Sequence, residues 1–192
     1  KQVYFQGKLT SVQRLRDLDI VVPNQDYHPY LGVRLVKINN RIQETAEATP
    51  ERARALFGRA FEIFNREAKE TELEFPVLGL GDAEHEQLFI KEFGRRMGEN
   101  MARLLNIGCS HQYVHSANVS LAAELMDIGT LDHWSRTVPK AQRKYYEVRA
   151  THLKDMRDMV YGLKMLRKGV KKAGLAEVND DKFVAAIYQG FV

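Results

Sequence analysis

A chain of 192 residues is long enough for one ordinary domain with a sizeable core and too short for two large ones. Its composition, 44% apolar and 28% charged, is that of a globular protein and excludes a largely disordered one. The net charge of +4 makes polyanionic partners possible, though on an excess of only 29 basic over 25 acidic residues, and no run of eighteen apolar residues is present to span a membrane.

Tyr4 to Gly7 read Y-F-Q-G, like the end of an engineered protease-cleavage sequence, so residues 1–7 are left out of functional inference and 8–192 is expected to form a single domain or a fragment of one. Residues 8–45 mix apolar pairs with Pro23, Asn24, Pro29 and Gly32, and Val33-Arg34-Leu35-Val36-Lys37-Ile38 alternates as a strand does. One or two short strands are expected there. Thr49, Pro50 and Glu51 form a helix start, with a capping hydroxyl, proline in the first turn and an acidic neighbour. Ala53, Leu56, Phe57, Ala60, Phe61 and Phe64 then recur at helical spacing, which predicts a helix over 49–69.

Pro76, Gly79 and Gly81 mark an extended connector. A second long helix is predicted over 82–106, because Phe89, Phe93, Met97, Met101 and Leu105 repeat every four residues until Gly108 stops it. Farther on, Pro139 can open a helix toward His152. Met156, Met159, Val160, Leu163, Leu166 and Val170 define another, ended by Gly174, with Lys168, Lys171 and Lys172 toward its C-terminal end where cations suit the dipole. Asp180 or Asp181 can cap a last short helix through Tyr188. The single Cys109 has no disulfide or zinc partner, which suits a reducing, cytoplasmic setting.

Residues 111–130, HQYVHSANVSLAAELMDIGT, place Asn118 and Asp127-Ile128-Gly129 nine residues apart behind the second long helix. This arrangement resembles the protein kinases, which carry H-R-D-L-x-x-x-N on a loop after a long helix and D-F-G farther on, so that Asn and Asp hold the metal ions of a nucleotide. The match falls on His111 and Asn118 of H-Q-Y-V-H-S-A-N and on Asp127 and Gly129. The short interval is nearest to that of the selenoprotein-O-type pseudokinases, which transfer AMP to proteins and read roughly N-x-D-N-M-S-I-L-x-L-x-x-D-Y-G where this chain reads H-S-A-N-V-S-L-A-A-E-L-M-D-I-G.

The resemblance implies a mainly α fold with a small β component. It would be a kinase-like C-lobe in which a short β-hairpin carries Asn118 and Asp127, preceded by a reduced or incomplete N-terminal α/β region. It implies ATP with Mg2+ or Mn2+ as cofactors, Asn118 and Asp127 as metal ligands, Lys37 as the phosphate-gripping lysine and Glu62 as its helical partner. Phosphate or AMP would pass to a protein or a small molecule. The sequence departs from the pattern at the base: Ala117 and Tyr113 stand where these families have carboxylates, and neither accepts a proton at neutral pH. His115 is then the candidate for acid–base work, ahead of His111 and Glu124.

Each residue also has a plainer reading. Asn118 and Asp127 can cap turns, the two histidines can be satisfied core or loop groups, and Lys37 can be a solvated strand residue. Glu84-His85-Glu86 lacks the second histidine of a zinc motif and reads as an acidic helix start. Trp134 is as much a structural anchor as a substrate contact. Two rival functions follow: a catalytically inactive, pseudokinase-like interaction module, which Ala117 and Tyr113 favour, and a basic helical nucleic-acid binder, which no recognised motif or aromatic-basic stripe in the sequence supports.

Overall fold

The computed structural model describes residues 2–5, 8–11, 36–71, 76–126, 132–133 and 145–192, and side chains within 36–71, 76–126 and 154–192. Contacts group the chain into two units, 1–35 and 36–192. The described part of the first is an antiparallel hairpin of β1 (Gln2–Phe5) and β2 (Lys8–Ser11), in register from Gln2 opposite Ser11 to Phe5 opposite Lys8.

The second unit is mainly helical. It runs through α1 (Ile42–Glu47), α2 (Pro50–Glu70), α3 (Ala83–Asn106), β3 (Cys109–Ser110), β4 (Asp132–His133), α4 (Tyr145–Lys172) and α5 (Asp180–Phe191). Helix α2 starts as its sequence dictates: the Thr49 side chain accepts from the Arg52 N–H at 3.3 Å, with Pro50 in the first turn. Asp82 caps α3 by accepting from the Glu84 and His85 N–H groups at 2.9 and 3.2 Å. Gly108, at φ +70°, takes up the left-handed turn that ends α3.

The two faces read from periodicity are the core. Phe57, Phe61 and Phe64 of α2 surround Phe89 of α3 with ring centroids 4.6–6.1 Å apart, and Phe93 continues the cluster to Phe183 of α5 at 6.5 Å. Phe57, Phe64 and Phe89 have no exposed surface. Burying one such ring contributes about 2–3 kcal/mol before the geometry of aromatic pairs adds its own term. At two points the backbones of α3 and α5 come into direct contact: a Cβ on Gly98 would lie 2.0 Å from the Ile187 carbonyl oxygen, and one on Gly190 would lie 1.8 Å from that of Arg95.

Four expectations are revised. The helix predicted from Pro139 and the one defined by Met156 merge in α4, which is unbroken from Tyr145 onward, while Pro139 itself lies outside the described residues. Asn179 rather than Asp180 caps α5, its side chain accepting from the Lys182 N–H at 3.0 Å. Within the proposed strand 33–38, only 36–38 are described, and they take no strand pairing; the first bridge comes at Arg41, opposite Ser120. The acidic start of α3 also hides a structural carboxylate, since Glu86 is buried and accepts from the Gly81 N–H at 2.8 Å and the Ala176 N–H at 2.6 Å. Among the described residues no helix is long and apolar enough to cross a membrane.

Candidate functional site

The segment after α3 leaves the helix at Gly108 and is closed at its base by a two-residue ladder, Cys109 opposite His133 and Ser110 opposite Asp132. One buried carboxylate anchors its first turn. Asp155 of α4 has no exposed surface, and its Oδ2 accepts from the Ser110 hydroxyl at 2.7 Å and from the His111 backbone N–H at 2.8 Å. Hydrogen bonds to a carboxylate are worth more than neutral ones, and losing a buried partner leaves polar groups unsatisfied. His111 is itself fully buried, with Nε2 2.5 Å from the carbonyl oxygen of Met126. It ties the start of the segment to its far end from the interior.

Beyond His111 the chain makes a left-handed step at Gln112, φ +71°, uncommon for a residue with a Cβ. Lys154 of α4 holds it there. Its amine donates to the Gln112 carbonyl, pairs with Asp158 at 2.7 Å and sits 4.6 Å from the centre of the Tyr113 ring. Tyr113, 51% exposed, packs edge-on to His115.

The expected hairpin is present. Asn118 and Met126 face each other through the Met126 N–H and the Asn118 carbonyl, 2.7 Å apart; Val119 bridges Leu125, and the Ser120 N–H donates to the Glu124 carbonyl at 2.9 Å. Ser120 also shapes the turn, its hydroxyl accepting from the N–H groups of Ala122 and Glu124, both at 3.2 Å. Ala123 closes the turn at φ +61°, and its carbonyl accepts from the Asn100 side chain of α3 at 2.6 Å. Residues 40–42 line the other edge: Leu121 N–H donates to the Asn40 carbonyl at 2.9 Å and Ile42 N–H to that of Val119 at 3.0 Å.

Asn118 is buried at the open end of this hairpin. Its Nδ2 donates to the Tyr113 carbonyl at 3.1 Å and its backbone N–H to the His115 carbonyl at 2.8 Å. The amide's nitrogen is therefore used by its own loop, leaving Oδ1, the end able to bind a cation, as the remaining acceptor. Asp127 follows Met126 and lies outside the described residues, as does Trp134. Among the described residues, no group of three or more His, Cys, Asp or Glu side chains converges as a metal site.

The other candidates are placed as follows. His115 is half-buried and its Nδ1 accepts from the Ala117 N–H at 3.3 Å, so the neutral ring carries its proton on Nε2. Glu124 is committed to structure, accepting from the Lys37 backbone N–H at 3.1 Å and from the Ser120 hydroxyl at 3.4 Å. Ala117 borders a polar depression with Asn39, Arg41, Gln43, Glu44 and Glu47.

Lys37 does not pair with Glu62, which is exposed on α2; its amine pairs with Glu67, five residues farther along the same helix. Glu67 also binds Arg96, whose guanidinium lies 3.8 Å from the centre of the Phe64 ring and reaches Glu92 at 2.9 Å. Partial burial pushes the Glu92 carboxyl up, but hydrogen bonds and charge from Arg95 and Arg96 outweigh it and hold the group below its ordinary value. Lys37 touches the hairpin at Glu124, two residues, or about 7 Å along a strand, from the Met126 that faces Asn118. The structure brings Lys37 to the turn end of the hairpin and Asn118 to its open end.

Asp155, Lys154, Asn100 and Glu67 were missed in the sequence. Asp155 did leave a signal: it stands in step with Met159, Leu163, Leu166 and Val170, a charge on the buried stripe of a helix. No protein-family model, curated protein or solved structure matches the chain.

Proposed function

We propose that the unit spanning 36–192 is a kinase-like domain that binds a purine nucleotide with a divalent cation. The observation that carries this reading is the Asn118 amide, pinned through Nδ2 so that Oδ1 is its free ligand end, on a hairpin strand facing the residue before Asp127. A donor set of one amide oxygen and one carboxylate suits Mg2+ or Mn2+, which take oxygen ligands and complete their shell with phosphate and water. The cation, when bound, would offset the charge of the phosphate oxygens. In this reading Asn118 and Asp127 hold it, the Asp155 anchor keeps the loop in place, and Lys37, whose backbone reaches the hairpin at Glu124 and whose amine pairs with Glu67, would supply a cation for phosphate. The transferred group would be phosphate or AMP, to a protein or small-molecule acceptor.

A second reading has its own observation. Ala117 and Tyr113 supply no carboxylate, and His115 presents a donor because its Nδ1 is occupied. These three facts together favour a domain that binds nucleotide without turning it over and serves as an interaction module.

Thermal unfolding with ATP and Mg2+ or Mn2+ tests both. At a ligand concentration a hundred times Kd, stabilisation is about 2.7 kcal/mol, or about 5–10 °C in a chain of this size. The shift is expected in the native protein and absent from Asp127→Ala and Asn118→Ala. No shift in the native protein, or an equal one in both variants, overturns the proposal; a shift without phosphate or AMP transfer selects the second reading.

A further inference from the structure

Helix α4 carries a second surface, on the side away from the loop it anchors. Asp155, Met159, Gly162, Leu163, Leu166 and Val170 face the core. At 100° per residue, Arg157, Tyr161, Lys164, Lys168 and Lys171 fall within an arc of about 80° on the opposite face, over about 21 Å of helix. All five are exposed, Tyr161 by 70%.

The cations differ in what they already do. Lys172 donates to the Ala46 carbonyl at 3.1 Å, Arg167 pairs with Asp180 at 2.9 Å and Arg157 approaches Asp158 at 3.5 Å. Among the described residues no carboxylate lies within ion-pair distance of Lys164, Lys168 or Lys171. Cations in the last turn are explained by the helix dipole, which covers Lys171 and Lys172. It does not reach Lys164, two turns back, and like charges at these spacings repel by a few tenths of a kcal/mol per pair. Beside them runs a groove whose rim is Lys164, Lys168 and Lys171 and whose lining includes the apolar Val170, Leu175 and Val178, with Glu177 as its acid. The Lys164 amine lies 5.9 Å from the centre of the Tyr161 ring.

We infer that this face binds single-stranded nucleic acid. Three unneutralised lysines spaced over about 10 Å match a flexible phosphate backbone, and an exposed aromatic ring at the end of the row offers a base a stacking platform. An acidic peptide has charge to match the lysines but no use for the ring. An anionic membrane would demand more apolar surface on the same face than Tyr161 and its neighbour Val160 supply. The sequence hid the stripe because its members stand three and four residues apart among core positions.

Fluorescence anisotropy with a labelled twelve-residue oligouridylate or oligothymidylate tests the inference, with polyglutamate and phosphatidylglycerol vesicles as competing probes. About three phosphates neutralised on a single strand give a log–log salt slope near 2, hence roughly 15-fold weaker binding between 50 and 200 mM salt. Replacing Lys164, Lys168 and Lys171 together by Gln should abolish the salt-dependent part, and Tyr161→Ala should weaken binding about tenfold. Exposed positions leave the fold intact, which an unchanged melting temperature verifies. Failure to bind the oligonucleotides, binding that the lysine variant retains, an unaffected Tyr161→Ala variant, or equal affinity for polyglutamate or vesicles each overturns it. Asp127→Ala should bind the oligonucleotide normally, so this outcome is independent of the nucleotide site.

Discussion

The α3–α5 contact and the segment from Gly108 to Met126 share one core but differ in how much they rely on polar anchors. The helices meet by removal of side chains, at Gly98 and Gly190, and by a continuous aromatic cluster around Phe89. The segment buries Val114, Val119, Leu121 and Leu125 in the same core and adds to that packing single polar contacts from distant places: Asp155 and Lys154 on α4, and Asn100 on α3. A packed interface spreads its energy over many weak contacts, whereas an anchored loop concentrates it in a few groups that must each be satisfied. Substitutions of the packed side chains should therefore act globally, and those of the polar anchors locally.

The largest effect is expected from Phe89→Ala, which empties the centre of the aromatic cluster and should cost about 4 kcal/mol in chemical denaturation, with every spectroscopic probe shifting together. Asp155→Ala should cost about 3 kcal/mol, because the Ser110 hydroxyl and the His111 N–H lose their shared acceptor in the interior. Its mark should be local: hydrogen exchange speeds up over 109–126 well before α3 and α5 open, and uniform loss of protection would remove the contrast between the regions. Gly190→Ala should cost about 2 kcal/mol, since the new methyl group meets the Arg95 carbonyl and α3 and α5 must separate, measurable as a lowered denaturation midpoint.

The smallest change sharpens the comparison most. Ala123→Gly relieves a left-handed residue, worth about 1–2 kcal/mol, but gives up about 0.8 kcal/mol of methyl burial and about 0.5–1 kcal/mol of chain entropy. The terms nearly cancel, and melting should show a net change within about 0.5 kcal/mol. A large loss would mean that the turn depends on packing of the Ala123 side chain, like the helical region.

Legibility in the sequence divides along the same line. The apolar period of α2 and α3 and their caps at Thr49 and Asp82 could be read directly, because amphipathic period and capping chemistry are local properties. The hairpin and the place of Asn118 in it were reached through resemblance to a motif. The long-range partners were not reached. Lys37 was matched to Glu62 and the structure pairs it with Glu67, one and a half turns away on the same helix, because periodicity says which face a residue takes but not how far along a neighbour it docks. Asp155, Lys154 and Asn100 carry no local signature of the loop atoms they bind, and Asp127 falls outside the described residues.

Because the segment hangs from a carboxylate on another element, the identities of the side chains along its rim are decoupled from the scaffold that displays them. Ala117 is half-buried and borders a polar depression rather than the core, so a carboxylate can be installed there without emptying or crowding a packed site.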